Sequence, residues 1–314
     1  MTKVLPLISI VVPVFNEGDG IRSLYNDIKN ETEKLTQYNW AILFVDDGST
    51  DASLSHLEKI AASDDKVSVL ALSRNFGKEY ALTAGITFAQ GDAIVTLDGD
   101  GQHPVESIGK FVEQWEKGFQ VVIGVRKEAR LSRSNLFYAL FNRMSGEHLT
   151  AGATDYRLID KVVKEEFVQL AESGRITRGL IDWLGFKRTS VWFTPKKRQF
   201  GKPTYSTKQL LRLAVHSFIS LSSLPLYIFG GLGVAITTLS GLLGITVIIE
   251  QVILEDPLNW NFTGTAMLGI LILFLIGIVL MAQGVVSLYI SAIHRETKHR
   301  PLYIVDRSKS KNLK

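Results

Sequence analysis

Cysteine is absent from the 314 residues. This removes disulfides, zinc–thiolate sites and a cysteine nucleophile, and it is compatible with a reducing compartment. A charge excess is nearly absent too. Thirty-five Lys and Arg stand against 31 Asp and Glu, leaving +4, and no segment of the first 190 residues carries a dense basic block with interleaved aromatics. Nucleic acid is excluded as a partner on that ground. The amino-terminal stretch lacks the shape of a secretory signal, since residues 1–14 hold a single lysine, Lys3, and an apolar run that passes through Pro13 into polar sequence. That run reads as a first strand.

What is present is a regular alternation. Up to about residue 125, β-branched runs at residues 8–14, 41–45, 67–72, 93–97 and 120–124 alternate with helical patterns at 20–36, 52–62, 77–89 and 105–116. The pattern predicts a mostly parallel α/β sheet, in which ligands bind beyond the carboxyl ends of the strands. The polar clusters fall at those ends: Asn16-Glu17, Asp46-Asp47-Gly48-Ser49 and Asp98-Gly99-Asp100. Residues 127–204 are less regular, with a helix near 132–145, the polar run Thr154-Asp155-Tyr156-Arg157-Leu158 and a strand near 188–193. This half is assigned to acceptor binding and closure of the site.

The chemistry concentrates in Asp98-Gly99-Asp100-Gly101-Gln102. Two carboxylates two residues apart at a strand end can grip a divalent cation while leaving positions for phosphate oxygens, as Mg²⁺ is usually held. An EF-hand loop also begins Asp-x-Asp, but His103 stands where that loop needs glycine and Gly109 where it needs glutamate. Helix capping accounts for one of the two aspartates and leaves the other unexplained. The run Asp46-Asp47-Gly48-Ser49-Thr50-Asp51 suits either capping of the next helix or ligand binding, and Pro13-Val14-Phe15-Asn16-Glu17 reads the same way. Arg74-Asn75-Phe76-Gly77-Lys78 opens a helix where backbone amides and a cation can meet phosphate.

The last third differs. Residues 224–249 and 262–293 contain no Asp, Glu, Lys or Arg. A 25-residue helix is roughly 37 Å long and a hydrocarbon core about 30 Å thick, so two transmembrane helices are expected. Before them, residues 206–220 form an amphipathic pattern, with Lys208, Arg212 and His216 on one stripe and Leu211, Val215, Phe218 and Ile219 on another, suited to a membrane surface. The connection carries Glu250, Glu255 and Asp256, whereas the tail holds Arg295, Lys298, Arg300, Arg307, Lys309, Lys311 and Lys314. The positive-inside rule therefore places the amino-terminal domain and both termini in the cytoplasm, with two spans in the plasma (inner) membrane. Leu302-Tyr303-Ile304-Val305 is a short β-prone run, either an addition to a sheet edge or a frayed end.

Taken together, Val12-Pro13-Val14-Phe15-Asn16-Glu17, Val45-Asp46-Asp47-Gly48-Ser49-Thr50-Asp51, Ser73-Arg74-Asn75-Phe76-Gly77-Lys78, Asp98-Gly99-Asp100-Gly101-Gln102-His103-Pro104 and Asp155-Tyr156-Arg157-Leu158 resemble the motifs of family 2 glycosyltransferases of the polyprenyl-phosphate type. That group includes dolichyl-phosphate mannose synthases and bacterial bactoprenol glucosyltransferases. The resemblance implies a GT-A fold. It also implies that Pro13, Phe15, Glu17 and Asp46 contact the nucleotide, with Asp47, Lys78 and Gly99 beside the donor and Arg126 near its phosphates. Asp98, Asp100 and Gln102 would surround Mg²⁺ or Mn²⁺, and Asp155 matches the aspartate given a catalytic role, alongside Asp100. Arg157, Arg198, Lys202 and Tyr205 fall to the acceptor phosphate. The family pattern Arg-x-x-Gly-x-Ser-Lys-Tyr departs here, because Thr204 stands where lysine is expected and Lys202 lies two positions away.

The expected organisation is a catalytic domain at residues 1–205, a juxtamembrane helix at 206–221, a two-helix membrane region at 222–293 and a basic tail at 294–314. The expected activity is inverting transfer of one sugar, glucose first and mannose from GDP-mannose as the alternative, from a nucleotide sugar to a polyprenyl phosphate such as undecaprenyl phosphate. A processive polysaccharide synthase would add a Gln-x-x-Arg-Trp motif and more spans, which the sequence lacks. A non-catalytic scaffold or sensor is opposed by the presence of Asp98, Asp100 and Asp155. Small residues in the spans permit close packing with a second copy.

Overall fold

The structure is a computed structural model that describes residues 5–18, 20–127, 152–172, 175–196, 264–298 and 300–313, together with residues 242 and 249. Strands β1 (Leu7–Val14), β2 (Asn39–Asp46), β3 (Val67–Ala71), β4 (Ala93–Thr96), β5 (Val121–Arg126), β6 (Ala153–Asp160) and β7 (Arg188–Phe193) form one seven-stranded sheet in the order β3-β2-β1-β4-β6-β5-β7. Helices α1 (Gly20–Lys34), α2 (Ser53–Ser63), α3 (Lys78–Phe88), α4 (Ile108–Glu116), α5 (Lys161–Gln169) and α6 (Thr177–Trp183) cover it.

The strands form here because their β-branched runs can be buried on both faces. Ile8, Ile10, Val12 and Val14 of β1 pack with α1, α2 and α4 through Ile21, Leu24, Leu57 and Phe111. Val11 of the same strand points the other way, toward Leu82, Ile86, Phe167 and Ile181 on α3, α5 and α6. The period of two thus splits the core into two layers, one on each side of the sheet.

The mixed, mostly parallel sheet agrees with expectation, and its exception is informative. β6 runs antiparallel to both neighbours, pairing Thr96 with Arg157 and Ile123 with Arg157, while the other strands are parallel. The sequence presents this stretch as a polar motif, because Asp155 and Arg157 interrupt its apolar pattern. Arg157 is buried within the sheet layer and Asp155 half-buried, both held by partners from other elements, and Tyr156 and Leu158 fill the opposite face.

Two compact units divide the chain, Met1–Thr204 with Arg300–Lys314 and Tyr205–His299. Residues near the carboxyl end therefore belong with the seven-stranded sheet. The β-prone run at 302–305 lies along the outer edge of β3: Ser73 N–H donates to Ile304 O at 2.9 Å, Asp306 N–H to Ala71 O at 2.8 Å, and Val69 and Lys311 exchange two bonds at 2.9 Å. Tyr303, Val305 and Leu313 pack against the core beneath. An edge that would otherwise present unpaired backbone groups is covered.

In the second unit, α7 (Gly264–Thr297) runs 34 residues. Among the described residues no helix is long and apolar enough to cross a membrane. The first expected span and the amphipathic stretch at 206–220 lie outside the described residues, as does the helix near 132–145. The second span falls on α7, whose side chains are described only in part.

Candidate active site

Five chain segments meet at one end of the sheet. Those that leave β1, β2, β3 and β4 do so because parallel strands share that end. The fifth, the start of β6, arrives there because β6 is reversed, which brings Asp155 beside the β4 loop. Thr96 Oγ1 donates to Asp155 O and fixes that start.

The β4 loop is braced from below. His103 is buried, stacks on Tyr156 at 4.9 Å, and accepts the Asp98 N–H at Nδ1, 3.0 Å away. That acceptor role puts the ring proton on Nε2 and keeps the imidazole neutral, and burial lowers the His103 pKa in agreement. Tyr156 Oη donates to Pro104 O at 3.0 Å. At the other side of the loop, a Cβ on Gly99 would sit 2.9 Å from Pro13 O, so only glycine lets the loop lie this close to β1. Asp100 Oδ1 accepts from Gln102 N–H at 3.0 Å, and Arg126 Nη2 reaches Gln102 Oε1 at 3.4 Å. The structure thus gathers Asp98, Gly99, Asp100, Gln102 and Arg126. A cleft alongside is lined by Glu17, Ser23, Asp27, Gly99 and Asp100, and Phe15 stands exposed beyond Pro13 at its rim of β1.

The oxygen set suits a divalent ion of the magnesium kind. Asp98 and Asp100 offer carboxylates and Gln102 a carboxamide, all on one loop, although among the described residues no group of three or more His, Cys, Asp or Glu is placed to hold a metal ion. Mg²⁺ and Mn²⁺ sites that use substrate phosphates have this character, one or two carboxylates with the remaining shell left to waters and ligand.

The aspartates after β2 divide their work. Asp47 accepts from Phe76 N–H at 2.8 Å and Gly77 N–H at 2.9 Å, so its carboxylate is spent on the loop before α3. Burial pushes its pKa up, and those two amides oppose the shift. The donor contact expected of Asp47 is replaced by this clamp. Gly48, at φ +69°, turns the chain so tightly that a Cβ would lie 2.4 Å from the Arg74 carbonyl carbon. Asp46 is 1% exposed, accepts the Ser49 N–H at 3.2 Å through Oδ2, and has Oδ1 buried with no hydrogen-bond partner among the described residues. Burial raises its pKa.

The clamp delivers Lys78 to the centre of the site. Its Nζ lies 2.6 Å from Asp98 Oδ1 and 2.7 Å from Asp155 Oδ2. Burial by itself would lower the lysine pKa, but Asp98 and Asp155 raise it well above its ordinary value. Burial by itself would raise Asp155; Lys78, with Arg178 and Arg157 further off, holds its carboxyl below the usual range. Behind them Glu79 is half-buried and accepts the Thr177 N–H at 2.8 Å, tying α3 to the start of α6, and desolvation raises its pKa.

Arg157 corrects the sequence reading. It is 2% exposed, its Nη1 and Nη2 meet Asp182 Oδ1 and Oδ2 at 2.7 and 3.3 Å, and its Nε donates to Thr154 O at 3.1 Å. A guanidinium so enclosed holds α6 against β6 and presents nothing to an acceptor phosphate. Asp182 and Glu79 stand in no motif, and His103, although it stands in the motif after β4, shows its bracing role only through Tyr156. Their partners lie on other elements, and only the strand order reveals them. Arg198, Lys202 and Tyr205 lie outside the described residues.

Comparison with known proteins fits this geometry. Residues 9–162 match the Glycosyl transferase family 2 model. The chain is 36% identical over 306 residues to the uncharacterized glycosyltransferase YkcC of Bacillus subtilis (strain 168), covering 96% of this chain and 93% of that protein. It is 35% identical over 310 residues to the bactoprenol glucosyl transferase of Shigella phage SfV, covering 97% and 99%. The crystal structure of mannosyl-3-phosphoglycerate synthase from Rubrobacter xylanophilus shares the fold, with a TM-score of 0.51 at 19% identity over 67% of this chain and 71% of that one. By its sheet, its strand-end motifs and these near full-length likenesses, the chain belongs to glycosyl transferase family 2, with a GT-A fold.

Proposed function

We propose that the protein transfers a single glucosyl group, with inversion, from UDP-glucose to a polyprenyl phosphate such as undecaprenyl phosphate at the cytoplasmic face of the plasma (inner) membrane. The observation that carries the reading is the near full-length likeness to bactoprenol glucosyl transferases, which extends past the catalytic sheet through the carboxyl-terminal third. The exposed apolar side chains of α7, Leu268, Ile272, Val279, Leu288 and Ile290 among them, support a membrane around that helix.

In this reading the nucleotide lies along Pro13, Phe15, Glu17 and Asp46. Asp98, Asp100 and Gln102 hold Mg²⁺ or Mn²⁺, which when bound offsets the charge of the departing diphosphate. Arg126 adds a cation on the same side. The acceptor oxygen of a polyprenyl phosphate is already anionic near neutral pH, so it needs alignment more than deprotonation. Asp155 suits that task, since a carboxyl held below its usual range is a weak base and a fixed hydrogen-bond acceptor. Arg198, Lys202 and Tyr205 complete the acceptor side, and a second copy packs through small residues of the spans.

The test is transfer of radiolabel from UDP-glucose to undecaprenyl phosphate by the detergent-purified protein with Mg²⁺, read as glycolipid on thin-layer plates beside GDP-mannose. Label from UDP-glucose alone, lost in Asp100→Asn, supports the reading. Label from GDP-mannose alone overturns the sugar. No label from either donor, with unchanged cellular glycolipid in Asp100→Asn, overturns the activity.

A further inference from the structure

Lys78 joins two groups whose expected tasks differ, the metal-side Asp98 and the acceptor-side Asp155, through one ammonium at 2.6 and 2.7 Å. Its place is built and not adventitious. Asp47 fixes the two amides before it, Gly48 packs on the Arg74–Asn75 backbone, and Lys78 is the first residue of α3. Asp98 Oδ1 thereby has the Lys78 ammonium in contact. A divalent ion bound to the same carboxylate would bring two positive charges against that ammonium, and like charges at contact distance in a partly buried site repel strongly.

We propose that Lys78 is a positioning residue that holds the cation place beside Asp98 in the donor-free protein and gives it up when a divalent ion and the donor phosphates enter, keeping its bond to Asp155. The proposal rests on the metal reading of Asp98 and Asp100. Between the two carboxylates Lys78 balances charges that would otherwise push Asp98 and Asp155 apart. It also makes metal binding in the absence of donor weak, because donor phosphates supply the negative charge that draws the ammonium away.

The test is Mn²⁺ binding to the full-length, detergent-solubilised protein, measured as loss of the free-ion electron paramagnetic resonance signal, without donor and with UDP. Without UDP, Lys78→Gln binds Mn²⁺ about tenfold or more tighter than wild type, since one competing charge at contact is removed. Asp98→Asn abolishes binding. If Lys78→Gln loses its cooperative melt, Asp155→Asn decides: with its second partner gone the ammonium settles on Asp98, and Mn²⁺ binding without UDP weakens several-fold. Equal Mn²⁺ affinity in wild type and folded Lys78→Gln, or in wild type and Asp155→Asn where the first does not fold, overturns the proposal. In that case Mn²⁺ binding with UDP leaves the metal reading standing. No Mn²⁺ binding by wild type even with UDP overturns both.

Discussion

Replacing Arg157 by methionine separates a structural guanidinium from a substrate contact. The pair with Asp182 is enclosed, with side chains 2% and 3% exposed, and it is two-pronged at 2.7 and 3.3 Å. Removing one member of a buried pair costs about 3–5 kcal/mol, because the other charge is left without compensation. Here the orphan is Asp182, and Arg188 Nη1 already lies 3.8 Å from its Oδ1. That second cation is 35% exposed and can close in, so the cost for Arg157→Met falls at the lower end, about 3 kcal/mol. Asp182→Leu is the harsher change, since it leaves a buried guanidinium with only the carbonyls of Thr154 and Arg178. The double variant, with both charges gone and apolar volume in their place, recovers much of the loss. In a unit of this size about 3 kcal/mol lowers the melting temperature by roughly 6–12 °C, readily seen by thermal denaturation in detergent. The reasoning fails if Arg157→Met melts with wild type while the KM for polyprenyl phosphate rises tenfold. The guanidinium would then be meeting substrate.

Gly99→Ala places a methyl 2.9 Å from Pro13 O, where backbone must give way. Overpacking of this kind costs about 1–3 kcal/mol, and transfer falls further than the melting temperature accounts for because Asp98 and Asp100 move with the loop; unchanged transfer refutes the packing argument. The Asp155 carboxyl titrates below its unfolded value, so its contribution to stability is present above the unfolded pKa of about 3.9 and is lost as pH falls through the folded one. The gap in melting temperature between wild type and Asp155→Asn is therefore steady near neutrality and closes on strong acidification; a gap that widens in acid contradicts the pairing with Lys78. Deleting residues 302–313 uncovers β3 and the apolar surface under Tyr303, Val305 and Leu313. Lower thermal stability and concentration-dependent association follow, measured by melting and by light scattering; an unaltered melt would show the strap to be idle.

The sequence was most readable where one element sufficed to state its own case. β1 to β4 are short β-branched runs followed by helices with an apolar face, and their ends carried the polar motifs. Spacing alone points to Asp98 and Asp100, whereas the places of Gln102 and Asp155 follow from the family resemblance. Reading failed where meaning depended on a distant partner. Arg157 looks like a phosphate ligand until α6 supplies Asp182, and Asp47 looks like a donor contact until the β3 loop turns back over it. β6 is hidden in the sequence for the same reason, since two charged residues break its apolar alternation and their partners lie on α3 and α6. The run at 302–305 showed its β character plainly, but no local feature could say which edge it would join.

That edge pairing makes the catalytic unit discontinuous in the chain. Residues 300–313 leave the ribosome after the whole of the 205–299 unit, so the sheet made first waits for its outermost cover until everything between has been synthesised. Completion of the fold is thereby ordered in time. The β3 edge, and the Ser73 amide that leads into the Lys78 loop, close only once residues 300–313 have been made, and a chain stalled or cut before residue 300 carries a sheet whose flank is still open.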